Sequence, residues 1–381
     1  MQPSSAELEA DAAARAGRLP DARRLLEAAV AATPERLEAW LKLAAMCRAG
    51  GDLSGAIQAV SRALAVDPLD LSALLMRAVL LDKMGRSEEA GEAYGHALAQ
   101  RSAGDLPAAL AGMIAQAEQR YRAHQQKVAE RLRSALPRNA SAQERRRVER
   151  FVTNVARLTE AYPQAPSHFH FPGLPPVEFH ERAHFPWIEA IEAGTAEIRA
   201  EFDALIASEA AELVPYIQYP DDVPLRQWEA LNRSRDWTAV HLLRNGERIG
   251  RNARHCPRTL ALLEAVSQPH IAGRCPNAMF SLLAPGTRIP PHTGVANTRL
   301  VCHLPLIVPE GCGFRVGAET RPWETGRAFV FDDTIEHEAW NDSDALRVVF
   351  IFDLWAWALS EAERDAVAAM MPLTDAGAAG L

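Results

Sequence analysis

The first hundred residues repeat themselves, and that repeat limits how they can fold. Gly17, Gly51 and Gly85 recur at a step of 34, as do Ala22, Ala56 and Ala90, then Ala29, Ala63 and Ala97, and Pro34 recurs as Pro68. A unit this short cannot bury a core alone, so neighbouring units must stack on one another. Each unit reads as two amphipathic helices meeting at the glycine, with the proline closing the second. Small alanines at the crossing let the two helix backbones approach closely. The expected product is a short solenoid of helix pairs.

The second unit, with Trp40, Leu43, Ala44, Gly51, Ala56, Ala63 and Pro68, matches the tetratricopeptide repeat pattern best. Two and a half to three such units over residues 1–104 are enough for a solenoid. It offers a concave surface for a peptide or protein partner, or else a rigid spacer, and the sequence leaves both open. Residues 105–165 stay helical but turn highly charged, with Arg131, Arg133 and the run Glu144 to Arg150, and read as a connector with a solvated face.

A chain of 381 residues exceeds one compact core. Its net charge of -8 argues against nucleic acid as the main partner, since phosphate contact needs a basic face. The five cysteines, Cys47, Cys256, Cys275, Cys302 and Cys312, form no C-x-x-C pair, so a disulfide framework or zinc site is not expected. No stretch approaches the roughly 18 to 20 apolar residues of a membrane span, and the start is polar and acidic rather than a signal peptide. No membrane partner and a cytoplasmic location are the expectations.

The Pro-rich stretch Tyr162 to Pro176 marks a boundary, and His168 and His170 within it are set aside as metal ligands. After a helix near Phe185 to Ala207 the period changes from 3.6 to 2. Strands are expected at Trp237 to Leu243, Ala278 to Ala284, Arg299 to Val308, Gly313 to Val316, Arg327 to Asp332 and Leu346 to Leu354. Turn signals such as Asn245-Gly246 and Pro285-Gly286 separate them. This spacing suggests a double-stranded β-helix, the jelly-roll or cupin-like architecture, with flanking helices over 166–360, then a helix end and frayed tail over 361–381. The fold class is thus a multidomain α + β chain, a repeat solenoid followed by a jelly roll.

Alternation assigns faces. Arg299, Val301 and His303 point one way, and Leu300, Cys302, Leu304 and Leu306 the other. Arg347, Val349 and Ile351 share a face, as do Met279, Ser281 and Leu283. A bound carboxylate would satisfy Arg347, Ser281 and His303 together, since buried charge demands a partner. His292, a distant His337 and Arg347 ten residues later follow the order of non-haem iron oxygenases, which bind iron through two histidines and a carboxylate. An arginine suits the distal carboxylate of 2-oxoglutarate, because it is always charged and binds in a fork. Gly294 stands where the His-x-Asp/Glu carboxylate would be. Glu336 and Glu338 point away from His337, so on residues alone the two histidines also read as ordinary turn histidines.

His292-Thr293-Gly294, Asn297, Arg299-Leu300, His303-Leu304, Trp323-Glu324, Gly326, Phe331-Asp332-Asp333, Glu336-His337-Glu338, Trp340 and Arg347 resemble the aspartyl/asparaginyl β-hydroxylases. The resemblance runs from about Phe169 to Trp355. The family's animal members also carry tetratricopeptide repeats, and the family binds iron with two histidines only, a glycine replacing the carboxylate. The resemblance implies His292 and His337 as Fe(II) ligands, Arg347 and Ser281 on the distal carboxylate of 2-oxoglutarate, and His303 at its metal-proximal end. It further implies Trp237 as a pocket wall, Asp333 positioning a metal-bound water and Arg299 near the substrate. Val301 departs from it, since animal members carry a second arginine there, and the substrate-loop cysteine pair is reduced to Cys256. The implied function is an Fe(II)- and 2-oxoglutarate-dependent dioxygenase hydroxylating an aspartyl/asparaginyl-type side chain of a peptide or protein. The alternatives are the same chemistry on a free amino acid or other small molecule, with a lipid disfavoured for want of a membrane segment, or a non-catalytic repeat scaffold with a degenerate barrel. A cupin isomerase would need more ligands near His292.

Overall fold

A computed structural model describes residues 3–101, 108–137, 139–209, 211–220 and 222–374. The chain divides into two compact units, Met1–Thr159 and Glu160–Leu381.

The first unit is helical: α1 (Ser5–Arg15), α2 (Leu19–Ala32), α3 (Leu37–Ala49), α4 (Leu53–Val66), α5 (Leu71–Lys83), α6 (Ser87–Leu98), α7 (Ala108–Arg133) and α8 (Ala142–Val155). The 34-residue step appears directly in the backbone. Gly17, Gly51 and Gly85 adopt φ of 72°, 82° and 75°, the left-handed turn that joins the helices of each pair and that glycine enters without a steric penalty. Ala22, Ala56, Ala90, Ala29, Ala63 and Ala97 are all buried at the crossings. The connector expected over 105–165 belongs largely to this unit, because Ile114, Ala117 and Tyr121 of α7 pack into the same apolar cluster as Ala90, Ala93 and Tyr94 of α6. Residues 105–107 and 138 of it lie outside the described residues.

The second unit contains helices α9 (Ile188–Ala193), α10 (Thr195–Ala207), α11 (Gly250–Ala253), α12 (Pro257–Leu263) and α13 (Glu361–Met370). Its strands are β1 (Val214–Pro215), β2 (Trp237–Arg244), β3 (Glu247–Arg248), β4 (Ala278–Leu283), β5 (Thr287–His292), β6 (Arg299–Ile307), β7 (Cys312–Val316), β8 (Glu319–Arg321), β9 (Phe329–Phe331), β10 (His337–Asn341) and β11 (Arg347–Trp355). They form two antiparallel sheets. The larger runs β1-β2-β4-β11-β6-β9, with β3 paired to β2, and the smaller runs β5-β10-β7-β8.

One face of the larger sheet (Phe280, Phe350, Phe352, Leu300, Cys302, Leu304) packs against Ile191, Ile198, Phe202 and Leu205 of the helices. Its other face (Ala239, Leu283, Val349, Ile351) meets Ile289, Phe314, Val316 and Ala339 of the smaller sheet. A strand covered on both sides reads as a continuous apolar run, which is why Arg347–Trp355 is buried along its whole length. Each fully buried phenylalanine contributes about 1.5–3 kcal/mol.

The six expected strands form within a residue or two of their expected bounds. β5 and β10, which carry the two histidines, were not expected as strands. Pro290 and Pro291 interrupt the pattern in β5, and that is tolerated because β5 is the edge of its sheet and owes no hydrogen bonds on its outer side. β10 reads His-Glu-Ala-Trp-Asn, too polar to show a strand period. The expected frayed tail falls, from residue 375 on, outside the described residues. Among the described residues no helix is long and apolar enough to cross a membrane.

Glu7 and Arg36 form a buried ion pair at 2.9 Å between α1 and the start of α3. Removing one partner strands the other charge in the core. Arg36→Ala is expected to destabilise the helical unit by about 3–5 kcal/mol, read as a lower denaturant midpoint by circular dichroism. An unchanged midpoint would show the pair to be solvated.

Candidate active site

A cavity of about 240 Å³ opens between the two sheets, and all eight residues expected at the site line it: His292, His337, Asp333, Arg347, Ser281, His303, Trp237 and Arg299. The alternation expected on β6, β11 and β4 holds, since Arg299, Val301 and His303 face the cavity together with Arg347, Ile351, Met279 and Ser281. His168 and His170 are exposed and lie outside the lining.

His292 ends β5 and His337 begins β10, and the two stand opposite each other in the antiparallel ladder. Direct cross-strand partners share a face, so the rings meet with centroids 4.0 Å apart. The His292 Nδ1–H donates to the Pro290 carbonyl at 2.7 Å, and the His337 Nδ1–H to the Ile335 carbonyl at 3.1 Å. Those bonds fix the tautomer and leave each Nε2 lone pair free to bind a metal. Burial lowers the His292 pKa to about 3, helped by neighbouring His337, and lowers that of His337 to about 4. Both rings are therefore neutral near pH 7, as a ligand must be. Glu336 and Glu338 turn away and pair with Arg315. Among the described residues no group of three or more His, Cys, Asp or Glu is arranged to hold a metal ion. A metal here would rest on two histidines and non-protein ligands.

Gly294 has a geometric reason to be glycine. A Cβ at that position would lie 2.2 Å from Asp333 Oδ2 and 2.4 Å from its Cγ. The Asp333 carboxylate, arriving from the loop before β10, fills the space that a side chain at 294 would need. It is held there by Arg299, whose Nη2 lies 3.0 Å from Oδ2, while Oδ1 has no hydrogen-bond partner. Burial opposes the negative charge and raises the Asp333 pKa, against the pull of Arg299.

Arg347 is 2% exposed. No carboxylate among the described residues pairs with it. Its guanidinium carbon lies 5.4 Å from the Trp323 ring, and burial lowers its pKa to about 10, which still leaves it charged at neutral pH. Ser281 Oγ accepts from Trp237 Nε1–H at 3.1 Å, so its own hydroxyl hydrogen remains available. His303 stacks on Trp323 with centroids 5.6 Å apart and planes within 9°, and its Nδ1 is unpartnered. An unpaired arginine, a hydroxyl and an unpartnered ring nitrogen facing one cavity suit an anion, and a carboxylate fits them in number and polarity.

The sequence did not reveal the wall near His292. Trp228 lines the cavity and meets His292 edge-on at 4.9 Å, while Tyr216 stacks on Trp237 at 3.9 Å. Tyr216 directly follows the two-residue β1 and Trp228 ends a single 3-10 turn, Arg226–Trp228, and neither stretch is long enough to show a period.

Residues 192–356 match the family Aspartyl/Asparaginyl beta-hydroxylase, and residues 8–65 and 51–105 match the tetratricopeptide repeat. The chain therefore carries a region that matches the aspartyl/asparaginyl β-hydroxylase family model, behind a region that matches tetratricopeptide repeats. Mouse aspartyl/asparaginyl beta-hydroxylase is 38% identical over 143 residues, covering 37% of this chain and 19% of its own length. Human aspartate beta-hydroxylase domain-containing protein 2 is 33% identical over 227 residues, covering 58% and 59%. The ornithine lipid ester-linked acyl 2-hydroxylase of Rhizobium tropici is 35% identical over 184 residues, covering 48% and 60%. The match thus spans a fifth to three fifths of these relatives.

The contact between Gly294 and Asp333 generates a test. Gly294→Ala must push a buried, ion-paired carboxylate aside, and overpacking of this kind costs about 1–3 kcal/mol. Asp333→Ala should relieve the clash, so the double variant should show a favourable coupling of about 0.5–3 kcal/mol in a double-mutant cycle. Strictly additive losses would mean that the two positions do not share that space.

Proposed function

We propose that the second unit is an Fe(II)- and 2-oxoglutarate-dependent hydroxylase built on a double-stranded β-helix. The observation that carries this is Arg347, a buried cation with no acid opposite it, set across one cavity from two neutral histidines with free Nε2 atoms. An anion with a metal-chelating end answers both needs at once, and 2-oxoglutarate is such an anion. The matched family supports a hydroxylase.

His292 and His337 would hold iron. When bound, iron and 2-oxoglutarate would let dioxygen oxidise a substrate C–H to an alcohol, one oxygen atom going to the alcohol and the other to succinate, with carbon dioxide released. Arg347 and the Ser281 hydroxyl would anchor the distal carboxylate in a charge-assisted fork. The unpartnered Nδ1 of His303 would face the other end. Trp237, Trp228 and Tyr216 would keep water from the reacting carbon. Asp333, pinned by Arg299, has one oxygen left to hold a water beside the histidines.

For the substrate we favour an aspartyl/asparaginyl-type side chain of a peptide or protein, brought by the repeats, which generally mediate such contacts. A second reading, an acyl chain of a lipid, has an observation of its own. Val301, Ile289 and Ile351 make the lining apolar, and Arg299 is already spent on Asp333. The Rhizobium tropici relative bears an acyl 2-hydroxylase name. Five free thiols fit a reducing cytoplasm.

His292→Ala and His337→Ala should each abolish 2-oxoglutarate-dependent succinate release. Arg347→Ala should instead weaken 2-oxoglutarate binding by roughly 100-fold, the loss of about 3 kcal/mol expected for a charged hydrogen bond. Normal succinate release from His337→Ala would sink the assignment. Mass spectrometry of proteins, metabolites and lipid extracts, with and without active enzyme, would show which class gains one oxygen.

A further inference from the structure

The helix α8 is unlike the others in how it divides its surface. Its start is fixed by a capping box, in which the Glu144 N–H donates to Ser141 Oγ and the Ser141 N–H to the Glu144 carboxylate. One edge of its apolar side packs on α7, where Val152 and Ala156 meet Ala129, Val128 and Leu132. The adjoining edge is open. Val148, Phe151 and Val155, followed by Leu158, recur at helical spacing and are all exposed, Phe151 by 63%. Arg145 and Arg147, three and four residues before Val148 and Phe151, flank that apolar surface, and Arg146 and Arg150 lie behind it, with Arg145, Arg146 and Arg147 all at the surface.

Charge is segregated on a larger scale too. Residues 108–158 hold eleven lysines and arginines against four acids, in a chain with 41 basic and 49 acidic residues overall. A run of charge on a helix is ordinarily a solvated face. A solvated face does not present a phenylalanine flanked by two valines.

We propose that α8 is a docking surface for an anionic lipid bilayer, lying in the headgroup plane with Phe151, Val148 and Val155 turned inward and the arginines among the lipid phosphates. A strongly charged polar side, low overall hydrophobicity and an exposed apolar stripe together mark an interfacial helix. The acidic balance of the whole chain does not forbid this. Screening limits a charge's reach to about 10 Å at moderate salt, so the local basic field decides. A second copy of the chain is a poor occupant, because two such stripes brought together would set Arg145–Arg147 of one copy near those of the other. Nucleic acid would use the arginines and leave the apolar stripe uncovered. The contact is peripheral and needs no spanning helix.

The full-length protein is sedimented with phosphatidylcholine vesicles, with and without a third of phosphatidylglycerol, at low and at high salt. The bound fraction should rise about tenfold with the anionic lipid and fall back at high salt. The triple variant R145Q/R146Q/R147Q should lose the anionic preference. Phe151→Ser, which leaves charge unchanged, should weaken binding severalfold while its circular dichroism stays that of the wild type. The salt and lipid dependence of the unmodified protein tests the proposal without any variant. No retention on anionic vesicles overturns it, as does equal retention on neutral ones. Unchanged binding by Phe151→Ser overturns it in favour of a general polyanion site, and a concentration-dependent dimer lost in Phe151→Ser without vesicle binding assigns the stripe to a second copy.

Discussion

Two buried arginines on neighbouring strands are treated in opposite ways. Arg299 on β6 is closed into the cavity wall with Asp333 at 3.0 Å and Asp353 on the adjacent strand, so its charge is answered from within the chain. Arg347 on β11, the strand between β4 and β6, is buried as deeply, lies over the Trp323 ring, and has no carboxylate partner among the described residues. Burying a lone charge is expensive, and the fold bears that cost in the middle of its larger sheet. An anion that reaches Arg347 removes the penalty, so its binding adds directly to the stability of the folded state. The same deficit is selective. A neutral molecule of the same shape would leave the guanidinium as it found it.

The histidines are presented by a different device. β5 is an edge strand, so it can carry Pro290 and Pro291, and their rigid backbone sets the approach to His292. β10 shifts register between His337 and Ala339 where it pairs with β5. Irregularities of this sort re-aim a side chain at the rim of a sheet. Each ring is then locked by a backbone carbonyl two residues before it. Gly294 completes the arrangement by giving up its side-chain space to a carboxylate that comes from 39 residues further along the chain.

The parts legible in the sequence are those in which one physical period dominates. The 34-residue step was readable because the turn glycines and crossing alanines each do one job. The central strands were readable because a period of 2 sets in there and turn signals such as Asn245-Gly246 and Pro285-Gly286 separate them. β5 and β10 were not, since proline and polar residues erase the strand period where a sheet edge or a site tolerates them. Their histidines were found by spacing and family resemblance instead. Trp228 and Tyr216 had no signal at all, because a single 3-10 turn and the end of a two-residue strand place them. On α8 the charge was visible and the open apolar edge was not. Only the packing on α7 separates Val152, which is buried, from Phe151, which is not.

Charge bookkeeping in the cavity bears on the substrate. The ionic residues among the lining are Arg299, Arg347, Asp333 and Asp353, which balance as two against two. On the proposed reading a divalent cation and a dianionic 2-oxoglutarate enter together, and they too cancel. The loaded site is then neutral before any substrate arrives. A second arginine at position 301 would leave one positive charge over, matched to an acidic side chain. Val301 removes that charge and adds apolar surface facing the histidines. In a cavity this closed an uncompensated carboxylate is costly. The balance therefore tilts, within the hydroxylase reading, toward a substrate whose reacting portion is uncharged. An asparaginyl side chain and an acyl chain both meet that condition, and a free aspartyl carboxylate does not.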